Sequence, residues 1–198
     1  MTTTIHLVRH GEVENPKGVI YGRLPGYHLS ERGERQAEAA ADRLAERDVG
    51  AIWASPLERA QETAIAIASR HQIGIVTDER LIESDTTLEG VGKTVSAFLR
   101  SPKHWWALRN PLRPSWGETF FEIKLRMMAA IDDAVAAAGS REVVIVTHQT
   151  PVLVARASLS QRRGPPWLGG APCTTGSISS LEMDDGRVVA ATYHAPPV

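Results

Sequence analysis

Four short stretches of the chain are apolar almost without interruption: residues 3 to 8, "GAIWAS" at 50 to 55, "IGIVTD" at 73 to 78 and "EVVIVTH" at 142 to 148. Unbroken runs of this length, in place of strict alternation, predict strands covered on both faces, as in a parallel sheet. Between them the polar positions return with a helical period over 30 to 47, 55 to 71 and 117 to 138. Ser30 and Ser55 are candidate N-caps, and Pro56 and Pro151 fall where a first helical turn tolerates proline. Near the end, Asp185 and Gly186 form a hairpin signal between two strand-like runs. The pattern predicts one three-layer α/β/α domain over 1 to 198, with a doubly wound, mostly parallel sheet and an antiparallel edge.

One region departs from this rhythm. From about 84 to 117 the periodicity fades and prolines and tryptophans accumulate in "SPKHWWALRNPLRPSWG". It reads as an insertion over the sheet edge, since long irregular segments in compact domains are usually functional or mobile. Lys103, Arg109 and Arg113 make it a candidate substrate lid, on which Trp105, Trp106 and Trp116 have the commoner fate of packing onto the sheet.

Charge changes the picture little. A formal net charge of -1 gives no global field toward nucleic acid or an anionic membrane, so neither is an expected partner and any basic site must be local. A single cysteine, Cys173, allows no intrachain disulfide and no thiol cluster for a metal, which fits a reducing cytoplasm. The start "MTTTIHLV" lacks a signal-type leader, and no run approaches the ~20 apolar residues of a membrane span. A soluble, cytoplasmic protein is expected.

Ligands of open α/β sheets bind beyond the carboxyl ends of the strands. Arg9, His10 and Gly11 end the first run, Thr147 and His148 end another, and a helix opening near Pro56 carries Arg59 in its first turn. A helix start and guanidinium forks suit an anion, phosphate above all. Gly11 is expected to let backbone approach a ligand. Taken singly, His10 would read as a strand-end histidine and Arg59 as a solvated one; their common placement with Arg9 and His148 favours chemistry. His6, His28, His71, His104 and His194 read as structural or exposed, and Trp53 and Cys173 as core filler.

The set "RHGE" at 9 to 12, "SPLERAQETA" at 55 to 64, "RLIES" at 80 to 84 and the histidine after "VVIVT" resembles the histidine phosphatase superfamily, also called phosphoglycerate mutase-like. The resemblance covers most of the chain in order. It implies His10 as a nucleophile that becomes a phosphohistidine. It further implies Arg9, Arg59 and His148 around the phosphoryl oxygens, and Glu83 as proton donor. Such charge spreads over oxygens in transfer and is met by arginines and a histidine, preferably cationic at His148, without a metal or other cofactor.

"GVIYGRLPGYHLSERG" resembles a second family segment and offers Arg23 as a contact for substrate phosphate or carboxylate, while Glu118 reads as a helix-start acid. Three departures stand out. The family asparagine six positions after the nucleophile is Pro16 here, leaving Asn15, one earlier, as a substrate-binding candidate; Gln149 replaces the glycine after the second histidine and is likewise a substrate-binding candidate; and "SDTTLEG" leaves Asp85 and Glu89 as alternative acids to Glu83.

The implied activity is a metal-independent phosphomonoesterase acting on a small phosphorylated substrate. A phosphoglycerate mutase-type phosphomutase is the alternative, with a non-catalytic phospho-ligand module third. A homodimer stays open.

Overall fold

A computed structural model describes residues 2–92, 117–162, 164–166 and 172–196. The lid candidates Lys103, Arg109 and Arg113, with His104 and Trp105, Trp106 and Trp116, lie outside the described residues. Among the described residues, six strands and four α-helices follow in chain order: β1 (Thr3–Arg9), α1 (Glu31–Leu44), β2 (Val49–Ala54), α2 (Glu58–Ala68), β3 (Ile75–Thr77), α3 (Phe120–Ala138), β4 (Glu142–Thr147), α4 (Gln149–Leu159), β5 (Ile178–Asp184) and β6 (Arg187–His194). A one-turn 3₁₀ helix, Glu79–Leu81, follows β3.

The strands form one sheet in the order β3-β2-β4-β1-β5-β6. The first four run parallel, and β5 and β6 are antiparallel, which is the mixed doubly wound sheet the pattern predicts. The hairpin between β5 and β6 turns on Asp185 and Gly186, both at positive φ, as a type I′-like turn requires.

Alternate residues of each strand enter opposite cores. On one face Ile5, Leu7, Val143 and Ile145 pack against Ile123, Met127 and Ile131 of α3 and Val152 and Ala155 of α4. On the other, Val8, Ile52, Val144 and Val146 meet Ala40, Ala41 and Leu44 of α1 and Ala60, Ala64 and Ile67 of α2. The helix after β1 thus lies on one face and the helix after the adjacent β4 on the other. The chain therefore switches sides between β1 and β4, and that crevice is where such sheets bind ligands.

Ser30 caps α1, accepting from the Gly33 N–H at 3.1 Å. Ser55, expected to do the same for α2, does not: α2 begins at Glu58, its N-cap is Leu57, and no side chain caps it. Glu118 also departs from expectation. The acid in the first turn of α3 is Glu122, in a reciprocal capping box with Thr119, and Glu118 precedes the cap and binds elsewhere. Trp53 is half-buried against the core with Arg80 over its ring, and His6 is a buried strand histidine held by Ser180 and Glu142.

Candidate active site

The three central strand ends carry the site. Arg9 pairs with Thr147 in the β1–β4 register, and the His10 N–H donates to the Thr147 carbonyl at 3.0 Å. Residues 10 and 148 are therefore the first beyond two adjacent parallel strands. On the other side of β4, the Ser55 N–H donates to the Val146 carbonyl at 3.0 Å. Backbone pairing alone thus delivers His10, His148 and Ser55 to one rim.

The two imidazoles meet edge to face with centroids 5.0 Å apart, 1 % and 0 % exposed. His10 Nδ1 lies 2.7 Å from the Gly11 carbonyl. A carbonyl only accepts, so Nδ1 carries the proton and Nε2 keeps its lone pair. Burial, then the charges of Arg59 and Arg9, push His10 well below the ordinary histidine range, outweighing the Gly11 carbonyl. A neutral ring with one lone pair is a nucleophile near neutral pH.

His148 is pushed down in the same way, by burial first and then by His10, Arg59 and Arg9. Two guanidiniums and a second imidazole in a buried cluster thus disfavour the positive charge expected at His148. Its Nε2 lies 2.7 Å from Ser55 Oγ.

Arg59 is fully buried in the first turn of α2, with Nη2 donating to the Gly22 carbonyl at 2.6 Å and its guanidinium 4.9 Å from the centre of the Tyr21 ring. Arg9 donates through Nη1 to the Cys173 carbonyl at 2.6 Å. Among the described residues, four buried nitrogens of this cluster have no hydrogen-bond partner: Arg9 Nε, Arg59 Nε and Nη1, and His148 Nδ1. Buried donors are normally paired, so a concentration of unpaired ones marks a place built for acceptors from outside the chain. A tetrahedral oxyanion supplies several acceptors at once.

The carboxylates separate by position. Glu83 is half-buried, takes the Ser84 N–H on Oε1 at 2.7 Å, and acts electrostatically on both Arg59 and Cys173, whose carbonyl holds Arg9. Glu89 also acts on Arg59, and its Oε1 is held by the Arg23 N–H as Glu83 Oε1 is by Ser84. Asp85 is exposed. Glu83 is thus the carboxylate whose charge reaches both Arg59 and the residue whose carbonyl holds Arg9.

Other expected residues have structural partners. Both polar atoms of Asn15 are taken by the backbone of Val19, at 2.9 and 3.2 Å, closing a turn. Arg23 donates to the Glu83 carbonyl at 2.7 Å and to Glu118 at 3.0 Å, and Arg126 clasps Glu118 with bonds of 2.6 and 2.9 Å. Gln149 is exposed at the start of α4. Gly11 gives room to protein backbone: a Cβ there would run into the carbonyl of Gly33, which is the close approach that demands glycine.

Residues missed by sequence reasoning are Thr63, Tyr21 and Ser55 as a histidine partner. Thr63 accepts the Gly11 N–H at 3.1 Å while donating to the Arg59 carbonyl at 2.8 Å. Its spacing of four from Arg59 on α2 was the available signal. A hollow of about 420 Å³ between α3 and α4, lined by Phe120, Phe121 and Gln161, holds none of these groups. Convergence of donors, not cavity size, marks the site. Among the described residues no cluster of three or more His, Cys, Asp or Glu is arranged to hold a metal ion, and no helix is long and apolar enough to cross a membrane.

A doubly wound sheet with paired histidines and arginines at its switch point defines an α/β protein whose rim offers buried donors to an anion. The chain belongs to the histidine phosphatase superfamily, branch 1, whose family model it matches over residues 5–195. It is 48% identical over 196 residues to protein Rv0525 of Mycobacterium tuberculosis, covering 98% of this chain and 96% of that one. It is 31% identical over 191 residues to the 2,3-bisphosphoglycerate-dependent phosphoglycerate mutase of Thermoplasma acidophilum, covering 92% and 88%. Among solved structures, mycobacterial glucosyl-3-phosphoglycerate phosphatase Rv2419c superposes with a TM-score of 0.77 at 25% identity over 98% of this chain and 97% of that one. The superfamily thus contains both phosphatases and mutases.

Proposed function

We propose that the protein is a metal-independent phosphatase that hydrolyses a phosphate monoester through a phosphohistidine at His10. The observation that carries the reading is the His10 Nδ1–H bond to the Gly11 carbonyl, which leaves Nε2 as the lone-pair nitrogen beside four buried nitrogens that no described residue partners. In the first step Nε2 attacks phosphorus, a P–N bond forms and the ester P–O bond breaks. The departing alkoxide takes a proton from the Glu83 carboxylic acid. Arg9, Arg59 and His148 meet the charge on the equatorial oxygens, the electrostatic part of the catalysis. In the second step water attacks phosphorus, loses a proton to the Glu83 carboxylate and releases phosphate, regenerating neutral His10.

The test is phosphate release from a panel of metabolite phosphates with chelator present, for the wild type and His10→Ala, with acid-labile, base-stable phosphoryl label sought on the chain. Release that persists with chelator and vanishes in the variant, with label on His10, is the expected result. Activity abolished by chelator, or retained in His10→Ala, overturns the reading. Isomerisation of a phosphoglycerate without net phosphate release would assign the mutase reaction to the same histidine.

A further inference from the structure

Ser55 is 0 % exposed and does not cap the helix that follows it. Its hydroxyl has two neighbours: the Leu57 N–H, which points at Oγ from 3.4 Å, and His148 Nε2 at 2.7 Å. A backbone N–H can only donate, so the hydroxyl receives there and has its single proton left for the other partner. The Ser55 proton finds an acceptor only if His148 Nε2 is the lone-pair nitrogen, which puts the ring proton on Nδ1. That nitrogen is buried without a protein partner, as are the Arg9 and Arg59 nitrogens of the cluster.

The reverse assignment satisfies fewer groups on the same geometry. With the proton on Nε2, Ser55 Oγ would be offered two donors while its own proton had no acceptor. The strand pairing fixes the arrangement, because the Ser55 N–H bond to Val146 places residue 55 beside the end of β4.

We infer that Ser55 is a positioning residue that fixes the tautomer of His148, so that the uncharged ring presents Nδ1–H to a phosphoryl oxygen. The device answers an electrostatic problem. Two guanidiniums already occupy a water-poor site, and a third fixed cation would oppose them wherever no anion is bound. A neutral donor held in one tautomer gives the hydrogen bond without that repulsion. The kinetic consequence rests on the phosphoryl-transfer reading, but the tautomer does not.

Nitrogen-15 NMR of the histidine rings in the wild type, at a pH above their titration, reads the tautomer directly. The expected spectrum shows His148 with a protonated Nδ1 and an unprotonated Nε2, and Ser55→Ala shifts it toward a mixture. Kinetically, Ser55→Ala is expected to lower kcat/KM about 10- to 100-fold, the range for a lost buried hydrogen bond partner. Ser55→Thr, which keeps the hydroxyl, restores the wild-type tautomer and most of the rate. A wild-type His148 protonated on Nε2, or a tautomer unchanged in Ser55→Ala, overturns the inference whether or not either variant folds less stably. If the tautomer behaves as stated but the protein releases no phosphate from any ester, the functional reading fails and this one survives.

Discussion

His10 and His148 face each other edge to face at 5.0 Å because Arg9 and Thr147 are register partners on adjacent parallel strands. The two histidines are thus placed by main-chain hydrogen bonds, which do not depend on side-chain rotamers. Each ring is then pinned by one further bond, His10 to the Gly11 carbonyl and His148 to the Ser55 hydroxyl. Rigidity of this kind suits a reaction in which the protein's work is positioning and electrostatics.

The charge of Arg59 should be readable at both rings. It is the second cause, after burial, of the lowered His10 pKa, and it acts on His148 as well. Arg59→Met removes a cation that opposes protonation, so both histidines should titrate at higher pH than in the wild type. Proton NMR titration of the ring hydrogens is the measurement. Unmoved titrations would show that the guanidinium is screened from the rings.

Stability should fall on acidification. His10, His148 and His6 all have folded-state values below the ordinary 6.5, so the unfolded chain binds more protons in the interval between the folded value and 6.5. By linkage, the folded state loses ground as pH drops through that interval, and its stability is intact above it. Tm measured from pH 8 downward should begin to drop near 6.5, and the slope should be shallower in His148→Asn. A Tm flat to pH 5 would contradict the buried neutral assignment.

Gly11 offers a packing prediction. A Cβ at this position meets the Gly33 carbonyl, and one at Gly33 meets the Glu12 carbonyl, so each of two backbone segments blocks the other's side chain. Neither obstacle is a flexible side chain. Gly11→Ala should cost about 1–3 kcal/mol, a fall in Tm of roughly 2–12 °C for a chain of this size, read by thermal denaturation.

The sheet and the rim of the site were legible because they follow from local pattern. Unbroken apolar runs announced β1, β2 and β4, and the order of strand ends then placed His10, His148 and Arg59 together. What escaped notice depended on contacts distant in sequence. Ser55 before a proline looks like a cap, and only the pairing of β2 with β4 shows that it faces His148. Glu118 near a helix start looks like a dipole acid, yet Arg23 and Arg126 claim it from 95 residues before and 8 after. Gly11 looked like a ligand contact because its blocker, Gly33, lies in another element. Asn15 looked like a pocket residue although a neighbour four positions on consumes both its polar atoms.

The separation of Glu83 from Glu89 yields the sharpest kinetic test. If Glu83 protonates the leaving oxygen, Glu83→Gln should reduce kcat/KM for alkyl phosphates by about 10²- to 10⁴-fold, the usual share of general acid catalysis. An aryl phosphate such as p-nitrophenyl phosphate has a leaving group that departs without a proton, so its first step should be nearly unimpaired. The second step still needs a base for water, and the same variant removes it. Rapid mixing should therefore show a burst of p-nitrophenol, stoichiometric with protein, followed by slow turnover. Glu89→Gln, whose carboxylate is held by the Arg23 N–H, should show neither the leaving-group dependence nor the burst. Equal losses for alkyl and aryl esters in Glu83→Gln would remove Glu83 from the proton-transfer role, and the same signature appearing in Glu89→Gln would transfer the role there.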